Sequence, residues 1–179
     1  RVALAAVALW TIVRLSGHAV PRSREVWLAF LGMGVLNNII PFSLIVWGQT
    51  HIASGLASIL NATTPIWTVI IANQWTSDEK LTGAKLAGCA AGLAGTCILI
   101  GPSTITDSAA PLWALVLPVL AAISYGVAGT YGKRFRGIPA PVTAAGQLTA
   151  SSLIMLPVSL IADQPWTLAT PSVHAIAAI

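Results

Sequence analysis

VWLAFLGMGVLNNIIPFSLIVWGQTHIASGLASILNATTPIWTVIIANQWTS, the stretch Val26–Ser77, runs for 52 residues without an Asp, Glu, Lys or Arg. One helix crosses the hydrocarbon core of a bilayer with roughly 20 apolar residues. The stretch therefore holds two membrane-spanning helices and a tight polar turn, for which Gln49-Thr50-His51 is the place. Working outward, the same pattern fills the chain.

Only 14 of the 179 residues are charged, 56% are hydrophobic, and the mean hydropathy is +0.82. A soluble domain carries about 25% charged residues, so this chain lacks the polar surface to face water. The charges fall in islands between apolar stretches. Arg14, Arg22, Arg24 and Glu25 form the first, and Gln49-Thr50-His51 is an uncharged second. Asp78, Glu79, Lys80 and Lys85 form the third, Asp107 the fourth, Lys133, Arg134 and Arg136 the fifth, and Asp163 the sixth. Every Lys and Arg except Arg1 thus lies in alternate islands. That is the positive-inside pattern of a polytopic membrane protein. It predicts cytoplasmic loops at 18–25, 76–85 and 133–138, and external loops at 49–54, 102–110 and 163–171. Trp27, Trp47, Trp75, Trp113 and Trp166 lie at segment ends, where an indole suits the interface; Trp67 lies inside. The expected class is all-α, a bundle of transmembrane helices. The net charge of +4 and pI near 9.6 are accounted for by cytoplasmic loops, so no nucleic-acid partner is expected.

The predicted segments are Val2–Gly17, Trp27–Gly48, Gly55–Trp75, Leu86–Ile100 (extended back to Thr82), Leu112–Gly132 and Pro141–Ala162, with a seventh from Ser172. The chain starts at Arg1 within an apolar run and stops at Ile179 within another, so it reads as a fragment of a longer protein. Connections of about five to ten residues leave the chemistry to the helices and their mouths. Cys89 and Cys97, eight residues apart, stand about 12 Å apart along a helix, too far for a disulfide, and read as packing residues.

Polar groups inside a span are costly unless paired or facing water. Asn37 and Asn38 precede Pro41 halfway along the second segment; Asn61, Thr63 and Thr64 precede Pro65 halfway along the third. Each proline lacks an N–H and clashes with the carbonyl four residues back, freeing acceptors at Asn37 and Asn61. Such backbone is tolerated at membrane depth when packed in protein or lining a cavity. Interhelical hydrogen bonding and pocket lining both explain any one residue; the two clusters together favour a pocket. Tyr125 and Gln147 are further mid-span polar groups, open to the same two readings. Arg1 lies thirteen residues, roughly 20 Å, from Arg14 along a helix. It reads either as a deep cation for an anionic substrate group or as an external anchor. Gly88, Gly92 and Gly95, with a GxxxG, and Gly126, Gly129 and Gly132 in the fifth segment read as helix-packing positions, within the chain or in a homodimer. Glu79 reads as the partner of Thr76 in a capping box, or as part of a gate. No catalytic constellation, metal-ligand cluster or phosphate loop is present in the sequence, and no cofactor is expected.

The stretches Asn37-Asn38-Ile39-Ile40-Pro41-Phe42 and Ala53 to Pro65 (ASGLASILNATTP) resemble the drug/metabolite transporter superfamily, specifically bacterial EamA-type permeases. Asp78-Glu79-Lys80-Leu81-Thr82 and the Gly88–Gly95 helix follow the same pattern. The resemblance covers nearly the whole chain. It implies a ten-helix fold of two inverted five-helix repeats. Residues 1–101 would hold helices two to five of the first, and 111–179 helices six, seven and the start of eight. It further implies a multi-pass inner-membrane permease that moves a small metabolite by alternating access, with the lipid bilayer and a small-molecule substrate as partners. Arg1 and Gln147 would take corresponding places in helices two and seven. Asn37, Asn38, Asn61 and Thr64 are the expected pocket lining, and Pro41 and Pro65 the residues that shape the helices. The alternatives are a membrane-embedded lipid-modifying enzyme and a non-transporting scaffold.

Overall fold

The computed structural model describes residues 2–77, 79–101 and 110–163, and every regular element among them is helical. Arg1, the loop around Asp107 and the expected seventh segment from Ser172 lie outside the described residues. The elements are α1 (Val2–Leu15), α2 (Arg24–Gly34), a π-helical turn (Val35–Ile39), α3 (Ile40–Gln49), α4 (Ser54–Asn61), α5 (Thr64–Trp75), α6 (Gly83–Ile100), α7 (Leu112–Tyr131) continuing as a 3-10 turn (Gly132–Phe135), and α8 (Ala140–Asp163). Five helical stretches among them are long and apolar enough to cross a membrane: Arg24–Gln49, Ser54–Trp75, Gly83–Ile100, Leu112–Phe135 and Ala140–Ala162. They coincide with five of the predicted segments, while α1 is a shorter apolar helix of 14 residues.

The helices gather into two units. Residues 1–34 with 137–179 form one, and Val35–Arg136 the other. This grouping does not follow the repeat boundary expected near residues 101–111; each unit draws on both sides of it.

In the first unit, α1 and α2 pack on α8. The Trp10 indole N–H donates to Thr149 Oγ1 at 2.8 Å, and the Trp10 ring stacks on Trp27, which meets Phe30 edge-on at 5.6 Å. Phe30 is fully buried because Gly146 of α8 leaves room for its ring. One turn on, Ser151 Oγ lies 2.8 Å from the Gln147 carbonyl and 3.3 Å from that of Gly34. The close approach is possible only because Gly34 has no Cβ, which would stand 2.8 Å from Ser151 Oγ.

In the second unit, α7 is the central helix, with α3, α4 and α5 packed on it. Its inner face is made of small residues: Ala114, Ala121, Ala122 and Ala128 are all fully buried. Its outer face carries Leu112, Val116 and Leu120, the first 77% exposed. Small side chains inside and bulky apolar ones outside suit a helix whose solvent is lipid, since tight backbone approach rather than the hydrophobic effect drives association there. Gly126 illustrates this, for a Cβ would stand 3.0 Å from the Thr68 nitrogen of α5.

The two prolines act differently. In a π-helical turn the carbonyl of residue i takes the N–H of residue i+5, so Leu36 would need the N–H that Pro41 lacks. Ser124 of α7 fills the vacancy: its hydroxyl donates to the Leu36 carbonyl at 2.7 Å. Ser124→Ala should therefore strand a carbonyl in a dry contact and cost about 1–3 kcal/mol, read as a lower melting temperature of the full-length protein in detergent. At Pro65 the helix breaks outright. The predicted single span Gly55–Trp75 is two half-helices, α4 and α5, joined through Ala62 and Thr63.

Segments predicted to share a side of the membrane do meet at both ends of this unit. Lys133 Nζ and Glu79 Oε1, from two loops predicted to be cytoplasmic, form an ion pair at 3.0 Å. At the other end, His51 and Trp47 both pack on Trp113, with ring centroids 4.6 and 5.9 Å away.

Two expectations need correction. Thr76 and Glu79 form no capping box. Thr76 ends α5, with its hydroxyl donating back to the Ala72 carbonyl at 2.7 Å, and Glu79 pairs with Lys133 instead. The true N-cap of α6 is Thr82, whose hydroxyl accepts from the Lys85 N–H. Secondly, Gly88, Gly92 and Gly95 are not where helices of this chain meet among the described residues. A Cβ on any of them would touch nothing within 4 Å, and no residue of α6 is buried. The contact glycines are Gly34, Gly48, Gly126 and Gly146, which no GxxxG announces.

Candidate functional site

A cavity of about 870 Å³ opens in the second unit between the broken helix α4–α5 and α6, with α7 behind it. Asn61, Ala62, Thr64, Pro65, Thr68 and Val69 line one wall, and Tyr125 of α7 adds a phenol. Lys85, Gly88, Cys89, Gly92, Leu93 and Thr96 line the other. Their spacing of three and four residues is one continuous face of α6. Glu79 and Lys85 stand at the predicted cytoplasmic end.

The helix break determines what the middle of this wall offers. Pro65 provides no N–H for the Asn61 carbonyl, and the Thr64 hydroxyl donates to it instead, at 2.6 Å. One residue earlier the Thr63 hydroxyl donates to the Leu60 carbonyl, also at 2.6 Å, and accepts from the Trp67 indole N–H at 3.2 Å. Trp67, the tryptophan that lies inside a span, is thus satisfied locally. The backbone of the break is well provided for by threonines. The Asn61 side chain is not: its Oδ1 is buried and has no hydrogen-bond partner. An unpaired buried acceptor costs about 1–3 kcal/mol. Native structures carry few such groups, and each calls for a reason.

The structure brings together six of the predicted residues, Asn61, Thr64, Pro65, Gly88, Gly92 and Tyr125. It leaves Asn37, Asn38 and Pro41 out of the lining; Asn38 is 4% exposed and Pro41 buried, in or beside the π-helical turn. Gly95 also stays out of the lining. Gln147 belongs to the other unit, where its Oε1 is likewise buried without a partner. Arg1 lies outside the described residues. Sequence reasoning missed Thr68, Cys89 and Thr96 as lining. The signal was there, in polar groups that fall on one helix face: Thr64 and Thr68 lie three and seven residues after Asn61, and Cys89 and Thr96 four and eleven after Lys85. Among the described residues no group of three His, Cys, Asp or Glu could hold a metal ion.

The EamA-like transporter family matches residues 1–101. An uncharacterized transporter of Bacillus subtilis, YoaV, is 24% identical over 162 residues, covering 90% of this chain and 55% of the relative. An uncharacterized inner membrane transporter of Escherichia coli, YedA, is 24% identical over 176 residues, 98% of this chain and 55% of the relative. A probable terminal-alkyne amino-acid exporter of Streptantibioticus cattleyicolor is 30% identical over 99 residues, 55% of this chain and 33% of the relative. The chain spans about half the length of the first two. No solved structure matches. With more than half of its residues matched by the family, and helices of the number and apolarity that a multi-pass membrane protein needs, the chain belongs to the EamA-like transporter family.

Proposed function

We propose that the full-length protein is an inner-membrane permease that moves a small metabolite by alternating access, and that the α4–α5–α6 cavity holds part of its substrate path. The observation that carries this reading is the buried, unpartnered Asn61 Oδ1 at a helix break in the cavity wall. Discontinuous helices near the bilayer midplane are where transporters built from inverted repeats place their sites. Family membership supports the transport class, and the relative named as an inner membrane transporter supports the location. Amino-acid-like metabolites are the proposed cargo and export the proposed direction, in keeping with the exporter among the relatives.

The test is uptake and counterflow of labelled amino acids and small amines by the full-length protein in proteoliposomes. Saturable flux that competes with unlabelled substrate supports the reading. Flux indistinguishable from empty liposomes across such a panel would move the scaffold alternative to the front. Thr68→Val, which keeps the shape of a lining residue and removes its hydroxyl, should lower flux per unit substrate by about 2- to 10-fold, as expected for one neutral hydrogen bond.

A further inference from the structure

The wall that α6 gives to the cavity is only lightly held by packing. No residue of α6 is buried, and a methyl at Gly88, Gly92 or Gly95 would meet nothing within 4 Å. At its predicted cytoplasmic end the helix is held by polar bonds of the stretch Glu79-Lys80-Leu81-Thr82 that leads into it. The join between stretch and helix is stiff. Thr82 caps α6 by accepting from the Lys85 N–H, and Lys85 Nζ donates to the Lys80 carbonyl at 3.1 Å. Two further bonds among the described residues carry the stretch to neighbouring helices. The Leu81 N–H donates to Asn73 Oδ1 of α5 at 2.9 Å, and Glu79 Oε1 meets Lys133 Nζ, in the 3-10 turn after α7, at 3.0 Å.

These two bonds differ in what they reach. Asn73 stands on α5, the helix just before the stretch, so its bond shapes a connection between sequence neighbours. Lys133 lies beyond α6 in the chain, and its bond draws the α6 side of the cavity towards the α7 side. The turn that carries it is firm. Phe135 is buried and meets Tyr131 edge-on at 6.2 Å, and the Arg134 guanidinium lies 5.0 Å from the Tyr131 ring centre. Glu79, the other partner, is itself a lining residue of the cavity. The pair is partly open to water, with 46% of the Glu79 side chain exposed and 23% of that of Lys133. Such pairs are worth little more than thermal energy. A bond of that size shifts a balance between open and closed forms several-fold without trapping either.

We infer that the Glu79–Lys133 ion pair is a clasp that holds the cytoplasmic end of α6 towards α7 and limits entry to the cavity from that side. Its use in transport rests on the cavity being part of the substrate path. The clasp itself is read from access to the cavity, with or without a substrate. Cys89 provides the reporter. It lines the cavity one turn beyond Lys85, whereas Cys97, about two turns further along α6, is equally half-buried but outside the lining.

The measurement is the rate at which a membrane-impermeant thiol reagent modifies Cys89 and Cys97 of the full-length protein, in inside-out and right-side-out vesicles, read by peptide mass. Glu79→Gln and Lys133→Met should each raise the Cys89 rate from the cytoplasmic side by about 1.5- to 5-fold, the range of an exposed ion pair. The double variant should be no faster than either single one, and Cys97 should keep its rate. Added salt should speed the wild type towards the variants and leave the double variant unchanged. A simple field effect on the thiol would act in opposite directions at the two positions, because a nearby anion disfavours the thiolate and a nearby cation favours it. A rise in both variants therefore reports an opened closure. Unchanged rates, opposite changes, an additive double variant, an equal rise at Cys97, or a rise from the external side alone would overturn the clasp. Saturable flux with unchanged Cys89 rates would remove the clasp and leave the transport reading intact. The expected Cys89 rates without any flux would do the reverse.

Discussion

Gly146→Ala in the full-length protein is expected to lower stability by about 1–3 kcal/mol, the usual range for overpacking a well-filled contact. The new methyl would stand against Phe30 Cδ2, 2.6 Å from Cε2 and 2.7 Å from Cγ. A contact with the far end of a flexible side chain can relax, but this one cannot readily do so. The Phe30 ring is fully buried, Trp27 meets it edge-on, and Trp27 in turn stacks on Trp10, whose indole is tied to Thr149. Moving the ring means moving a column of three aromatics and a hydrogen bond, or separating α2 from α8. The comparison that gives the result its meaning is Gly88→Ala and Gly92→Ala. Those methyls meet nothing within 4 Å, and alanine in a helix is favoured over glycine by about 0.5–1 kcal/mol. The pair should be neutral or slightly stabilising in thermal unfolding, while Gly146→Ala melts earlier. Equal losses at all three positions would show that the GxxxG face of α6 is a packing surface after all.

The reason this could not be read from the chain lies in the solvent. In water, periodicity marks the buried face of a helix, because one side is apolar and the other polar. In lipid both sides are apolar, so hydropathy locates the helix but not its contacts. Five span positions and the polar turn at residue 50 were therefore legible, since each depends on where charge and apolarity change along the chain. Gly126 was legible as a packing residue from its run of small neighbours, but that Gly146, rather than Gly88 and Gly92, takes the neighbouring helix was not, because each of these sits in an equally apolar stretch.

Proline carried a similar ambiguity. Pro41 and Pro65 both predict a disturbed backbone with freed carbonyls, and both disturbances are present. The outcome differs with what lies nearby. At Pro41 the helix absorbs the defect as a π-helical turn, and Ser124, 88 residues away in sequence, supplies the missing donor. At Pro65 the threonines at 63 and 64 supply donors locally and the helix divides. Asn37 and Asn38 therefore look like Asn61 in composition and depth but stay out of the cavity lining. Only the long-range partner distinguishes them, and a single sequence does not encode it locally. For Gln147 the same argument stands open, since its buried Oε1 has no partner within the described residues.

Asn61→Leu is expected to move stability and transport in opposite directions. Leucine has the same branched skeleton of four side-chain heavy atoms as asparagine and no polar atom, so it removes a buried acceptor that the fold leaves unpaired. Relief of that group is worth about 1–3 kcal/mol, and the variant should melt at or above the wild-type temperature. If Asn61 Oδ1 meets a donor of the substrate, the same change removes that contact and leaves the substrate's donor facing a methyl group. A loss of about 1–3 kcal/mol there corresponds to about 5- to 100-fold lower flux per unit substrate. Natural proteins keep destabilising groups where activity requires them, which is why stabilising substitutions often cost function. A residue with a merely structural role predicts the reverse pairing, lower stability with flux falling only as folded protein is lost. Thermal unfolding and proteoliposome flux measured on one preparation tell the two apart. A variant that melts early and transports normally per folded molecule would remove Asn61 from the substrate path and leave the break as a feature of packing alone.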